Sequence, residues 1–220
     1  MTDKRLLCAA SMVRAGGTLA DIGTDHAHLP VWLIQNGICE KAIAADIGEG
    51  PAACARRTVQ EAGLSHCIEV RVGDGLSVLS PTEASEIVIA GMGGETIAEI
   101  LQAASWLKDG TDRRLVLQPM TKTVELRTWL LENGFTIEEE HLIPDGRHLY
   151  CVMAVSFADA PMPASPLAPY VGALSAEEGA PYFVHQAAHL RRRAMGLRAG
   201  GQEQQAAELE TIAAALEELV

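Results

Sequence analysis

Several absences narrow what this 220-residue chain can be. No apolar run approaches the roughly 20 residues that a membrane-spanning helix requires. The opening Met1-Thr2-Asp3-Lys4-Arg5 leads only into a short apolar stretch ending at Met12, with no small-residue cleavage site, so a cytoplasmic protein is expected. The five cysteines, Cys8, Cys39, Cys54, Cys67 and Cys151, include no Cys-x-x-Cys pair. An odd, scattered set reads as reduced thiols in apolar niches, not as disulfides or a zinc site. Cations are scarce, with 17 Lys and Arg against 29 Asp and Glu for a net charge of −12. On its own that balance disfavours a nucleic-acid partner, because phosphate binding depends on Lys and Arg releasing counterions. There is no internal repeat, no three-glycine dinucleotide fingerprint, and no nucleophile beside a base to support covalent catalysis.

What is present is ordinary for a globular chain: 48% hydrophobic and 21% charged residues, enough for one α/β domain with a small extension. Residues 4–15 read as a short helix. Thr18-Leu19-Ala20-Asp21-Ile22 is a compact apolar run stopped by Gly23, as a buried parallel strand would be. A helix over 27–36 follows, then a strand Ala42-Ile43-Ala44-Ala45-Asp46. The next helix opens at Gly50-Pro51, where proline's missing N–H costs nothing, and closes at Gly63. Further strands are expected at 68–72, at 86–90 before a helix to Leu101, and at 114–118, ending at Pro119. A helix over 123–132 precedes two strands, 135–142 and 149–157, flanking the turn signal Pro144-Asp145-Gly146. Repeated β-α units imply a parallel sheet with helices on both faces. Residues 158–169 carry Pro161, Pro163, Pro166 and Pro169 and read as a linker. Two alanine- and leucine-rich helical patterns, 176–198 and 202–219, then flank Gly200-Gly201 and should lie antiparallel. The expected division is 1–158 for the sheet domain and 159–220 for linker and helical extension.

The unusual residues fall at strand ends, where open α/β sheets bind ligands. Asp21-Ile22-Gly23-Thr24-Asp25 joins a backbone free to turn tightly to two carboxylates. Those carboxylates would repel a pyrophosphate and attract a cationic ligand. Asp46, just over twenty residues past Gly23, is placed to hydrogen-bond a ribose hydroxyl pair. Asp74, between Gly73 and Gly75, is either a turn aspartate or a contact to an adenine amino group. Asp25 is either a helix N-cap or a ligand contact. Gly91-Met92-Gly93-Gly94 is either a close-packed turn or room for a flat base to lie against the backbone. His26 and His28 are two apart and make a poor metal pair. His185 and His189 share a helix face, but with no acid or cysteine beside them no metal is expected. Arg191, Arg192, Arg193 and Arg198 lie in a stretch free of acids between Glu178 and Glu203. That stretch is either a solvated helix face or a basic stripe for RNA.

An α/β sheet closed by an antiparallel hairpin is the ending of class I, Rossmann-like, methyltransferases. The segments Leu19 to Pro30, Gly50-Pro51, Arg71-Val72-Gly73-Asp74-Gly75-Leu76, Ile89-Ala90-Gly91-Met92-Gly93-Gly94 and Leu117-Gln118-Pro119 together closely resemble the bacterial TrmK family, the tRNA (adenine-22-N1)-methyltransferases. The resemblance runs over the whole sheet domain and, in outline, over the helical tail. It departs at Cys151, where the family commonly carries glutamate after the tyrosine. It implies a class I methyltransferase domain with a terminal antiparallel hairpin and a C-terminal helical, coiled-coil-like extension. It also implies S-adenosyl-L-methionine as cofactor and tRNA as partner, with no membrane. On this reading Asp21, Gly23, Thr24, Asp25, His26, Asp46, Asp74 and Gly75 contact the cofactor. Gly91, Met92, Gly93 and Gly94 shape the base pocket, with Gln118 and Pro119 at its rim, and the four tail arginines contact phosphate. A methyltransferase for another RNA or a small molecule, which would tolerate loss of 160–220, remains open, as does a non-catalytic nucleotide-binding protein.

Overall fold

Apolar strands that alternate with helices long enough to cross back over a sheet can pair only in parallel, and that constraint shapes the molecule. The computed structural model describes residues 1–146, 148–158 and 165–220. Its elements are α1 (Lys4–Met12), β1 (Thr18–Ile22), α2 (His28–Gln35), β2 (Lys41–Asp46), α3 (Glu49–Glu61), β3 (Ile68–Val72), β4 (Glu86–Gly93) and α4 (Gly94–Ala103). They continue with β5 (Arg114–Thr121), α5 (Thr123–Glu132), β6 (Phe135–Asp145), β7 (His148–Phe157), α6 (Ala168–Val171), α7 (Ala176–Ala199) and α8 (Glu203–Glu217). One seven-stranded sheet has the order β3-β2-β1-β4-β5-β7-β6. The first five strands are parallel, and β7 runs antiparallel to both β5 and β6. Strand order reverses between β1 and β4, so a crevice opens at their carboxyl ends.

The inner strands β1, β2, β4 and β5 are buried on both faces, which is why they read as nearly continuous apolar runs, whereas edge strand β3 alternates. Side chains still alternate: Ile87, Ile89, Leu115 and Leu117 enter one core with α4, α5 and the C-terminal helices. Val88 and Val116 enter the other core, with residues of α1, α2 and α3. Two strands outrun their apolar segments. β4 continues through Gly91-Met92-Gly93 and β5 through Pro119 to Thr121, with register shifts at Ala90/Met92 and Met92/Gly93. Gly91, at φ +80, is the extra residue of a bulge, and its N–H donates to Gln118 Oε1 at 3.1 Å. A bulge frees its partner from donating to the ladder, so Pro119, expected to end β5, sits within it opposite Met92. The hairpin is likewise longer than its turn signal suggests: Pro144 of β6, an edge strand where proline is tolerated, pairs with Leu149 of β7.

The expected boundary at 158/159, with Pro161 and Pro163, lies outside the described residues. Beyond it, Ser175 caps α7 by accepting from the Glu178 N–H at 3.1 Å. The helices α7 and α8 are antiparallel, as their ion pairs show: Arg198 reaches Glu203 and Glu210, and Arg191 reaches Glu217. A buried cluster ties this extension to the sheet. Arg127 and Glu140 pair at 2.7 Å with both side chains fully buried. Arg127 also donates to the carbonyls of Pro169 and Tyr170 at 3.1 and 3.0 Å, and Glu140 accepts from the Ala173 N–H at 3.0 Å. Cys151 lies with its Sγ 3.5 Å from Arg127. At the surface, His141 lies 3.0 Å from Glu139 and 3.0 Å from Glu178 of α7. Burial lowers its basicity, but the two carboxylates more than offset that and hold the imidazole above its usual range.

Candidate active site

The crevice begins where β1 runs out of side chain. Gly23 adopts φ +77, a left-handed conformation open to glycine, and a Cβ there would run into the Met92 methyl. Its N–H donates to the Ala45 carbonyl at 2.8 Å, which locks the ends of β1 and β2 side by side. Asp46 follows at the end of β2 and accepts from the Gly48 N–H at 2.9 Å. Asp74, between Gly73 and Gly75, stands at the end of β3. Among the described residues neither Asp46 nor Asp74 has a cationic partner. Both line a cleft of about 390 Å³ with Gly23, Gly75, Leu76, Met92 and, from α4, Thr96, Glu99 and Ile100. Ile47, next to Asp46, also lines it and is 70% exposed.

A second hollow, of about 180 Å³, opens on the other side of Gly23 and shares that residue with the cleft. Asp21, Thr24, Asp25, His26, Gly91 and Gln118 line it, together with Asp3, the N-cap of α1, and Arg5 within that helix. Asp21 is 6% exposed and accepts from the Thr24 hydroxyl at 2.6 Å. Burial pushes its carboxyl up to about 6; the Thr24 hydrogen bond opposes that rise and the Asp46 charge adds to it. Asp25 (φ 48) and Ala27 (φ 55) are left-handed non-glycine residues, a conformation that costs about 1–3 kcal/mol and clusters at functional sites. The cap of α2 is Ala27, with no side-chain cap bond, so the N-cap role open to Asp25 is not used. Its carboxylate lies 3.5 Å from His26 Nε2, and the His26 ring stacks on His28.

The geometry divides the glycine-rich set. Gly91 borders the smaller hollow and Met92 the larger cleft. Gly93 and Gly94 border neither: Gly94 is buried, and a Cβ on it would strike the Lys122 carbonyl, so this turn packs directly against the start of α5. Gln118 is buried and braces the bulge, with Oε1 on the Gly91 N–H and Nε2 donating to the Pro119 carbonyl at 2.9 Å. Three contributors were not singled out from sequence. Arg5 donates to Asp3 and to Met120 Sδ and lies 5.1 Å from the Tyr150 ring centroid. Its local partner Asp3 gave no hint of the site, because the groups that place Arg5 there, Met120 and Tyr150, are distant in sequence. Ile47 did carry a signal, being an apolar residue straight after a strand-end acid. Glu99, on α4, carried none.

Of the tail arginines, Arg191 and Arg198 are held in surface pairs with Glu217, Glu203 and Glu210. Arg192 and Arg193 have no ion pair among the described residues. Among those residues no group of three His, Cys, Asp or Glu is set to hold a metal, and no helix is long and apolar enough to cross a membrane.

A methyltransferase domain family model matches residues 2–153. The chain is 40% identical over 156 residues to the tRNA (adenine(22)-N(1))-methyltransferase of Bacillus subtilis (strain 168), an alignment covering 71% of this chain and 65% of that relative. The match thus spans just under two thirds of the curated relative's length. In three dimensions the agreement extends through the tail. The crystal structure of the B. subtilis M1A22 tRNA methyltransferase TrmK superposes with a TM-score of 0.87 at 30% identity, over 99% of both chains. Streptococcus pneumoniae Sp1610 in complex with S-adenosyl-L-methionine superposes with a TM-score of 0.82 at 33% identity, over 99% of this chain and 100% of that one.

Proposed function

This chain belongs to the methyltransferase family that includes the TrmK-type tRNA (adenine(22)-N(1))-methyltransferases, and from that premise we propose that it is a cytoplasmic enzyme methylating N1 of an adenosine in tRNA, position 22 by likeness to its relatives. S-adenosyl-L-methionine, when bound, supplies an electrophilic methyl group on a cationic sulfur. The residues fit such a ligand: acids without protein cations stand at successive strand ends, and the backbone between the two hollows is bare at Gly23. Asp46 accepts hydrogen bonds from the ribose hydroxyl pair. Ile47 offers an apolar face to the adenine ring, and Asp74 accepts from its amino group. Asp21 and Asp25 face the α-ammonium, with Thr24 and His26 beside them and Gly75 closing the adenine end.

The target base enters the smaller hollow, against Gly91 and beside Arg5. N1 of adenine carries a free lone pair at neutral pH, so no side chain must remove a proton before transfer. The contribution of the chain is alignment and exclusion of water. Gln118 serves as a positioning residue, because its amide fixes the bulge that sets Gly91. N1 lies on the pairing edge, so a base in a stem must be flipped out first. Arg191, Arg192, Arg193 and Arg198 contact phosphate, two of them by exchanging surface ion pairs that solvent screens and that contribute little.

The observation that carries this reading is the pair of hollows meeting at Gly23, one lined by unpartnered acids and the other by the glycine bulge. Incubation with unmodified bulk tRNA and methyl-labelled S-adenosyl-L-methionine, followed by digestion to nucleosides, tests it. Label in 1-methyladenosine is expected. Label in another nucleoside moves the specificity, and unlabelled tRNA despite cofactor binding defeats the tRNA assignment.

A further inference from the structure

Between α5, β7 and α7 lies a groove of about 590 Å³ that methyl transfer itself does not use. Lys122, at the start of α5, and Arg193, on α7, both line it, and each feels the other's charge. Lys122 is held left-handed at φ 60, with Gly94 packed against its carbonyl. The acid in the groove is Glu125, which Lys122 engages at 3.0 Å; Glu95 stands 3.9 Å from the same ammonium. Arg193 has no ion pair among the described residues. Two cations lining one groove, one of them without an ion pair among the described residues, favour an anion there on a chain of net charge −12.

The groove is joined to the smaller hollow by a ladder of flat groups. His148, which lines the groove, stacks on Tyr150 with ring centroids 5.9 Å apart and planes at 30°. The two are two residues apart on β7 and therefore share a face. Arg5 lies 5.1 Å from the Tyr150 centroid, a cation–π arrangement, and itself lines the smaller hollow. Lys122 is four residues past Gln118, so at about 3.3 Å per strand residue the two are no more than about 13 Å apart. Single-stranded nucleic acid is bound by this combination of a cationic groove and rings on which bases stack. A flipped base leaves its neighbours without stacking partners, and the ladder supplies them.

We propose that the groove and ladder form a track for the RNA strand beside the target adenosine, with a backbone phosphate between Lys122 and Arg193 and neighbouring bases on His148 and Tyr150. The proposal rests on the tRNA reading above. It is tested by measuring tRNA affinity across a salt series for the wild type, Arg193→Ala, Lys122→Ala, Tyr150→Leu and Tyr150→Phe. Arg57→Ala, an exposed arginine of α3, controls for charge. Cofactor affinity and melting temperature of each variant report on folding. Arg193→Ala and Lys122→Ala are each expected to loosen tRNA roughly five- to tenfold and to reduce the slope of log affinity on log salt by about 1. Tyr150→Leu should loosen it about tenfold, while Tyr150→Phe keeps the ring and the affinity. Cofactor affinity should stay unchanged throughout, and Arg57→Ala should shift tRNA binding less than about twofold. Groove variants no weaker than Arg57→Ala would overturn the track. If the wild type then still made 1-methyladenosine in tRNA, the enzyme reading would stand without it. A wild type that binds no tRNA would remove both.

Discussion

Asp46 and Glu140 are acids of the same sheet with opposite surroundings. Glu140 is fully buried on β6, its charge met by Arg127 at 2.7 Å and its second oxygen by the Ala173 N–H. Asp46 ends β2 beside an open cleft, with a backbone N–H for company and no cation among the described residues. The first arrangement consumes every charge it contains, so it belongs to the architecture that holds the helical extension on the sheet. The second leaves charge uncompensated where solvent and ligand can reach it. Carboxylates alone therefore do not mark the site; carboxylates left without partners at converging strand ends do.

The largest test of that contrast is at the seam. Arg127→Met strands a buried Glu140 and should cost about 3–5 kcal/mol in urea denaturation, while pairing it with Glu140→Leu should recover most of the loss, because burying an ion pair is itself costly. A single-variant loss under about 1 kcal/mol would mean that the pair is not what fastens the extension. At the cleft the expectation inverts. Asp46→Ala should leave the denaturation midpoint nearly unmoved but weaken S-adenosyl-L-methionine binding roughly ten- to hundredfold, the worth of hydrogen bonds to a charged group. Unchanged affinity by calorimetry would sink the ribose assignment.

The smallest effect sharpens the comparison within the site itself. Asp21 is an acid raised to about 6 by burial, so the folded chain retains its proton beyond the pH at which the unfolded chain releases it. That proton stabilises the fold at low pH, and its contribution is lost as pH rises through about 6. A cationic ligand favours the carboxylate, so binding expels the proton. Cofactor affinity should accordingly fall by up to about tenfold per pH unit below that value, and Asp21→Asn should flatten the profile. A wild-type profile as flat as that of Asp21→Asn would show that the cation does not meet this carboxylate.

Much of this organisation was legible in the chain. Inner strands buried on both faces leave continuous apolar runs, so β1, β2, β4 and β5 announce themselves, while edge strand β3 shows only the alternation of Ile68, Val70 and Val72 with Glu69 and Arg71; the glycines and acids at the strand ends are equally plain. The hairpin was legible from its turn residues, and the two tail helices from their composition. The bulge was not: an apolar run stops at Ala90, and only pairing with β5 carries the strand on through Gly91 and brings Pro119 into the sheet. Nor was the left-handed Ala27, whose conformation comes from the turn it must close. The tail arginines form an acid-free stretch in sequence, yet α8 brings Glu210 and Glu217 against two of them.

The sequence by itself determined the order of strands and helices, the acids at the strand ends and the composition of the tail, because periodicity and turn chemistry are written within a few neighbouring residues. Tertiary structure alone decided which acids would be neutralised and which left free. It set Arg127 against Glu140 across α5 and β6, and it brought Arg5 to Met120, 115 residues away. It also brought Lys122 and Arg193, 71 residues apart, into the lining of one groove. Those relations depend on how the chain closes on itself, and a charge acquires its role only when its neighbours in space, not in sequence, are in place.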